Sequence, residues 1–113
     1  MDAQTQRRSE AAEQELKKVD GRGNALSEVG MKGMPRAETG GVQAVLVTIT
    51  NKTDREASYA VQIDFKNAEG KVVETRYVGA EDLQPGKKEQ PIAFSHQPPD
   101  SKLTPVLAKA QRY

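Results

Sequence analysis

Tyr59, Val61, Ile63 and Phe65 are large and apolar, and the residues between them, Ala60, Gln62 and Asp64, are small or polar. Side chains alternate between the two faces of a strand, so this every-second-residue pattern describes a strand with one buried face. A helix would scatter the same four residues around its circumference. Burying each of them is worth about 1.5–3 kcal/mol, so the stripe must find a second apolar layer. The preceding segment offers one: Val45, Val47 and Ile49 point one way, and Leu46, Thr48 and Thr50 the other. Between the two runs, Asn51-Lys52-Thr53-Asp54 supplies side chains that bond to their own backbone and so favour a turn.

The remaining punctuation is also that of short strands. Lys66-Asn67-Ala68-Glu69-Gly70-Lys71 closes a hairpin onto a returning strand, Val72–Val78. That strand puts Val73, Thr75 and Tyr77 on one face and Val72, Glu74, Arg76 and Val78 on the other, and Gly79–Glu81 is expected to loosen the chain after it. Leu83-Gln84-Pro85-Gly86-Lys87 suits a type II turn. Ile92 and Phe94 mark a short strand that Pro91 pushes to a sheet edge. His96–Thr104 reads as a crossing loop stiffened by Pro98-Pro99. A last strand follows, in which Val106, Ala108 and Ala110 alternate with Leu107, Lys109 and Gln111. Turn-separated strands with no strong helix between them point to an all-β fold: a small immunoglobulin-like antiparallel β-sandwich of about six or seven strands. Without the Cys and Trp of antibody domains, Tyr59, Phe65 and Phe94 are expected to fill its centre.

The chain ahead of this unit differs. Gln6–Val19 consists of helix formers, with Glu13 and Lys17 at a supportive spacing, yet Leu16 and Val19 are its only sizeable apolar residues. A short helix with no apolar face is marginal in water. No heptad repeat marks it as a coiled coil or a partner-binding helix. The expectation is a flexible or frayed-helix stalk over residues 1–24 and a sandwich domain over 25–113, with core strands from Val42. Within the domain, Ala25–Met34 reads as a first edge strand weakened by Gly30 and Gly33, and Pro35–Gly41 as a loop.

Charge and composition narrow the function. Seven of the 17 Lys and Arg and seven of the 16 acids lie in the first forty residues, and the net charge is +1. Phosphate binders concentrate basic charge to release counterions; this even spread, with only five aromatic rings, argues against nucleic acid. The absence of Cys removes disulfides and thiolate chemistry. No apolar run approaches the roughly 18 residues of a membrane span. Met1–Ser9 is polar with no apolar run after it, so the sequence reads either as cytoplasmic or as following a targeting segment or anchor that lies outside it.

No residue stands out as catalytic, cofactor-binding or metal-binding. His96 is the sole histidine, and neither an acid–base pair nor a zinc site is built from one histidine without cysteine. Glu81-Asp82 could supply half of a hydrolytic carboxylate pair, but no second pair is evident. A pocket joining them to His96 would favour an enzyme. Asn51-Lys52-Thr53 fits a glycosylation sequon and a turn equally in composition, and the turn reading is preferred. Asp54, Asp64, Glu69 and Asp100 lack the alternating spacing of a calcium loop. The ordinary nucleotide-binding glycine motifs are missing.

Val47-Thr48-Ile49-Thr50-Asn51-Lys52-Thr53, Tyr59–Phe65, Ala68-Glu69-Gly70-Lys71-Val72-Val73 and Leu83-Gln84-Pro85-Gly86-Lys87, in that order, resemble the FxLYD-type bacterial domains over residues 42–113. Lys66-Asn67 departs from the Tyr-Asp that tends to follow the Phe in that family. The resemblance implies an immunoglobulin-like module in lipoproteins or membrane-anchored proteins, with no catalytic residues. The expected function is therefore non-catalytic binding or structure in the bacterial cell envelope. The protein would be extracytoplasmic through a lipid or membrane anchor absent from this sequence. It would act as a monomer or weak homodimer and need no cofactor. Its protein partner would be met at a sheet edge, a sheet face or the loops Asn51–Ala57 and Gly79–Pro85. The alternative is an intracellular interaction domain whose N-terminal helix orders on its partner.

Overall fold

The computed structural model describes residues 3–34, 40–97 and 102–113, with side chains from Gln6 onward. One helix, α1 (Ala3–Leu16), and a single turn of 3-10 helix (Leu26–Glu28) precede or join seven strands. These are β1 (Val29–Gly33), β2 (Ala44–Thr50), β3 (Ala57–Lys66), β4 (Val72–Leu83), β5 (Lys88–Glu89), β6 (Ile92–Phe94) and β7 (Thr104–Arg112). They form two antiparallel sheets. In one, β2 lies between β1 and the two short strands β5 and β6; in the other, β3 lies between β4 and β7. The arrangement is a β-sandwich with a helix laid on one side.

The alternating stripe does what its spacing requires. Tyr59, Val61, Ile63 and Phe65 are each no more than 1% exposed, and they pack with Val45, Val47 and Ile49 of the facing sheet in one core. The 66–71 hairpin and the Pro85-Gly86 turn are where the sequence places them, while the expected edge strand over Ala25–Met34 is shorter, Val29–Gly33, with the 3-10 turn Leu26–Glu28 in place of its start. Lys87 N–H donates to the Gln84 carbonyl at 3.1 Å, and Asn67 N–H to the Lys71 carbonyl at 2.9 Å. The Pro35–Gly41 loop and Pro98-Pro99 fall largely outside the described residues.

Three further expectations are corrected. Phe94 does not fill the centre: Ala93 takes the inward position of β6, and Phe94 is 39% exposed. The last strand does not alternate cleanly, because its register against β3 shifts between Gln62 and Ile63. Leu107 opposes Ile63 and Ala110 opposes Val61, so both join the core where strict alternation would separate them. Finally, β4 does not end at Val78: Gly79–Glu81 continues it to Leu83 instead of loosening the chain. The irregularity falls later, beside Asp82, whose φ of 52° accompanies a register shift against β3.

The N-terminal segment also differs from a free stalk. Helix α1 lies on the outer face of the β4-β3-β7 sheet, burying Ala12 and Leu16 against Ala60, with Val19 and Tyr77 packed around them. Small residues make this contact possible. A Cβ on Gly79 would stand 2.6 Å from the Tyr59 carbonyl oxygen and 3.5 Å from the Ala12 Cβ. Glycine is therefore needed where the helix crosses the sheet. Gly79→Ala is expected to lower unfolding free energy in urea by about 1–3 kcal/mol, as over-packing does. Leu16→Ala should cost about 2 kcal/mol, the low end for a buried leucine because its cluster is small. It should also speed amide exchange in α1 before the β3 core opens.

Candidate functional site

The interior of this sandwich is filled by its own side chains, so the candidate surfaces lie outside the core, its strand edges first. The rim along β7 is closed by the chain itself. Ala25 N–H donates to the Ala110 carbonyl and Ala110 N–H to the Arg22 carbonyl, both at 3.0 Å. Arg112 N–H donates to Asn24 Oδ1 at 2.7 Å. Gly23, at φ +84°, comes so near that a Cβ would meet the Ala110 carbonyl oxygen at 2.2 Å. Beneath this seam lies a buried polar knot. Tyr59 donates its hydroxyl to Glu28 Oε1 at 2.8 Å, and Arg112 pairs with Glu28 Oε2. Burial, then the hydrogen bond and charge of Glu28, push the Tyr59 phenol up to about 12, against a smaller opposing pull from Arg112.

The β1 rim is open. Met34 N–H bonds to the Ala44 carbonyl, and the register runs back through Lys32–Leu46 and Gly30–Thr48. By strand alternation the amides of Lys32 and Gly30 face β2 and those of Met31 and Gly33 face outwards, while the Val29 amide is taken by the Leu26 carbonyl. Among the described residues no strand pairs on that outer side.

The rim at β5 and β6 is open in a different way. There a groove of about 480 Å³ runs between this edge and β4, bounded by Val78, Gly79, Ile92, Phe94 and His96, with Arg8 of α1 overhanging it. Its lower end is clasped by polar side chains that join the two sheets. Glu74 accepts the Ser95 hydroxyl at 2.8 Å and the His96 amide at 3.0 Å, and pairs with Arg76 at 2.7 Å. Arg76 also donates Nε to the Phe94 carbonyl at 3.1 Å and meets His96 Nδ1. Burial alone would raise the Glu74 carboxyl, but the His96 amide, the Ser95 hydroxyl and the Arg76 guanidinium outweigh it and hold it below the usual carboxylate value.

His96 thus serves as a partner of Arg76 at the groove wall. Glu81 and Asp82 are not among the residues lining that groove, and Glu81 reaches Arg7 at 3.9 Å instead. The pocket that would have joined these acids to His96 is not the one observed. Asp64 accepts from Thr75 at 2.8 Å. Asp54 and Glu69 sit in separate turns, and Asp100 lies outside the described residues. Among the described residues no three His, Cys, Asp or Glu side chains gather as metal ligands, and no helix is long and apolar enough to cross a membrane.

Asn51 is fully buried and organises the loop end. Its Oδ1 accepts from Thr53 N–H at 2.9 Å, and its Nδ2 donates to the carbonyls of Arg55 at 2.7 Å and Leu83 at 2.8 Å. The Asn51-Lys52-Thr53 motif is used here as a turn that ties both candidate loops together. Sequence reasoning misses the groove, because its cation comes from α1 and its apolar wall from Phe94, whose size reads as core. No family model matches the chain, and neither a curated protein nor a solved structure shows detectable similarity to it.

These buried polar groups set two pH limits of opposite sign. The folded Tyr59 pKa lies above its ordinary 10, so its contribution is complete below pH 10 and is lost as pH rises towards 12. The folded Glu74 pKa lies below 4.5, so its contribution is complete above pH 4.5 and is lost as pH falls further. Urea midpoints across pH should decline at both ends. Tyr59→Phe should flatten the alkaline limb and Glu74→Gln the acid limb. Asn51→Ala should cost at least about 2 kcal/mol at every pH, since it strands buried carbonyls and an amide.

Proposed function

We propose that residues 25–113 form a non-catalytic interaction module of a bacterial cell envelope, of the FxLYD immunoglobulin-like type. In this reading it is held outside the cytoplasm by an anchor beyond this sequence, and it receives an extended segment of a partner protein as an additional strand on β1. The observation that carries the binding mode is the outer edge of β1. Two outward-facing amides, on Met31 and Gly33, lie in regular register along a strand already fixed to β2. Gly30 and Gly33 leave space around that edge, with nothing within 4 Å of a Cβ built on either. The envelope assignment rests on the order of motifs from Val47 to Lys87 and is supported by the four-plus-three sandwich. The alternative of a helix that orders only on its partner has less support, because Ala12 and Leu16 are already buried on this chain's own sheet.

Gly33→Pro removes one outward amide without touching a bond to β2, and so separates binding from folding. With a photo-crosslinking residue in place of Lys32, the chain is expected to form a single discrete adduct in native envelopes. Gly33→Pro in the same background should abolish it while leaving the unfolding free energy in urea within about 0.5 kcal/mol, as for a surface change. An adduct of equal yield in both would sink the edge-addition reading.

A further inference from the structure

The groove at the opposite edge of the same sheet carries a second and independent reading. Its β6 wall is itself an unpaired strand edge. Val47 N–H donates to the Pro91 carbonyl and Ser95 N–H to the Gln43 carbonyl, both at 2.9 Å. Residues 91, 93 and 95 therefore turn their backbone groups to β2, and Ile92 and Phe94 turn theirs the other way. The Phe94 carbonyl is taken by Arg76 Nε. The Ile92 amide and carbonyl and the Phe94 amide face outwards on the groove side, and among the described residues no strand pairs there. A backbone edge of this kind recognises another extended backbone.

Two further features say what that backbone should carry. The Arg8 Nε is buried and has no hydrogen-bond partner among the described residues, and Arg8 forms none of their ion pairs. A guanidinium lodged beside an apolar wall in this way is matched by a carboxylate, which can accept from it in paired fashion. The wall itself, from Ile92, Phe94 and Val78, is matched by an apolar side chain. Glu89 also borders the groove and lacks an ion partner among the described residues. It repels a run of acids while tolerating one carboxylate. At about 480 Å³ the groove is in the range of sites for drug-sized ligands, which is a few residues of peptide. That size fits the end of a chain better than a segment passing through.

We propose that this groove binds the C-terminal end of an extended polypeptide. The terminal carboxylate would pair with Arg8, the last apolar side chain would lie against Ile92 and Phe94, and the peptide backbone would bond to Ile92. The site needs nothing of the β1 edge or of the envelope assignment, and either can fail alone.

The test uses the full chain and two fluorescein-labelled hexapeptide pools. Each pool has five randomised positions and a final Leu, Val or Phe; one ends in a free carboxylate and the other in an amide. Fluorescence anisotropy should show the free-acid pool binding at least tenfold more tightly than the amide pool. Arg8→Gln, which keeps a helix-forming residue at an unpaired position, should erase that difference. Ile92→Pro, which removes an outward amide, should weaken both pools. Amide perturbations by NMR with the free-acid pool should centre on residues 92–96 and on the Arg8 side chain. The proposal is overturned by equal binding of the acid and amide pools or by an unchanged preference in Arg8→Gln. No binding of either pool at millimolar concentration, or perturbations confined to residues 29–33, would overturn it too.

Discussion

Everything else in this protein is arranged around one contact, the seating of Tyr59, Val61, Ile63 and Phe65 on Val45, Val47 and Ile49. Strand β3 is the middle of its sheet and is bonded on both sides, so its inward stripe is fixed in height and direction by β4 and β7 together. Strand β2 holds the same place in the facing sheet. The two central strands thus carry the core, and the shorter elements are added to their flanks. A slip of one residue in either would exchange the buried face for the polar one. That penalty, more than the propensity of any single strand, specifies the register.

The polar groups inside the sandwich lie at its ends and not in the middle of the stripe. Tyr59, Glu28 and Arg112 form one knot under the β7 seam. Glu74, Arg76, Ser95 and His96 form another where β4 meets β6. Each joins elements distant in sequence and satisfies groups whose burial would otherwise be costly. Asn51 works by the same principle at the loop end, binding the carbonyls of Arg55 and Leu83. A core with so few large residues has little hydrophobic surplus, so these bonded polar groups contribute to its uniqueness as much as to its stability.

The central strands were legible because period-two alternation is a signal carried by each segment alone. The hairpin and the Pro-Gly turn were legible for the same local reason. What stayed hidden depends on pairs of segments. Ala12 looks too small to anchor a helix until Ala60 and Gly79 are seen opposite it. Its neighbours Arg8 and Leu16, four residues to either side, then complete a narrow docking stripe. Leu107 and Ala110 share a face only because of a bulge. Phe94 reads as core by its size, yet Ala93 holds the inward place because the β2 register fixes the parity of β6. The seam along β7 has no sequence signature beyond Gly23 and Asn24, and the groove requires α1, β4 and β6 together.

The rims of the two sheets are treated unequally, and that inequality bears on function. An open strand edge invites pairing with other chains, and this chain invests backbone and side-chain bonds from Arg22, Asn24 and Ala25 in closing the one along β7. Among the described residues the same device is not applied to β1, where glycines keep the edge clear, nor to β6, where a buried guanidinium nitrogen has no partner. Had closure been required of every rim for solubility, the exposed Lys32 on β1 and the shortness of β6 would be the safeguards at these two among the described residues. Those measures discourage indiscriminate pairing of long edges but still admit a short segment of matching chemistry. Two edges of the β2 sheet left unpaired among the described residues, with the β7 seam shut, are the asymmetry on which the proposed binding at strand edges relies.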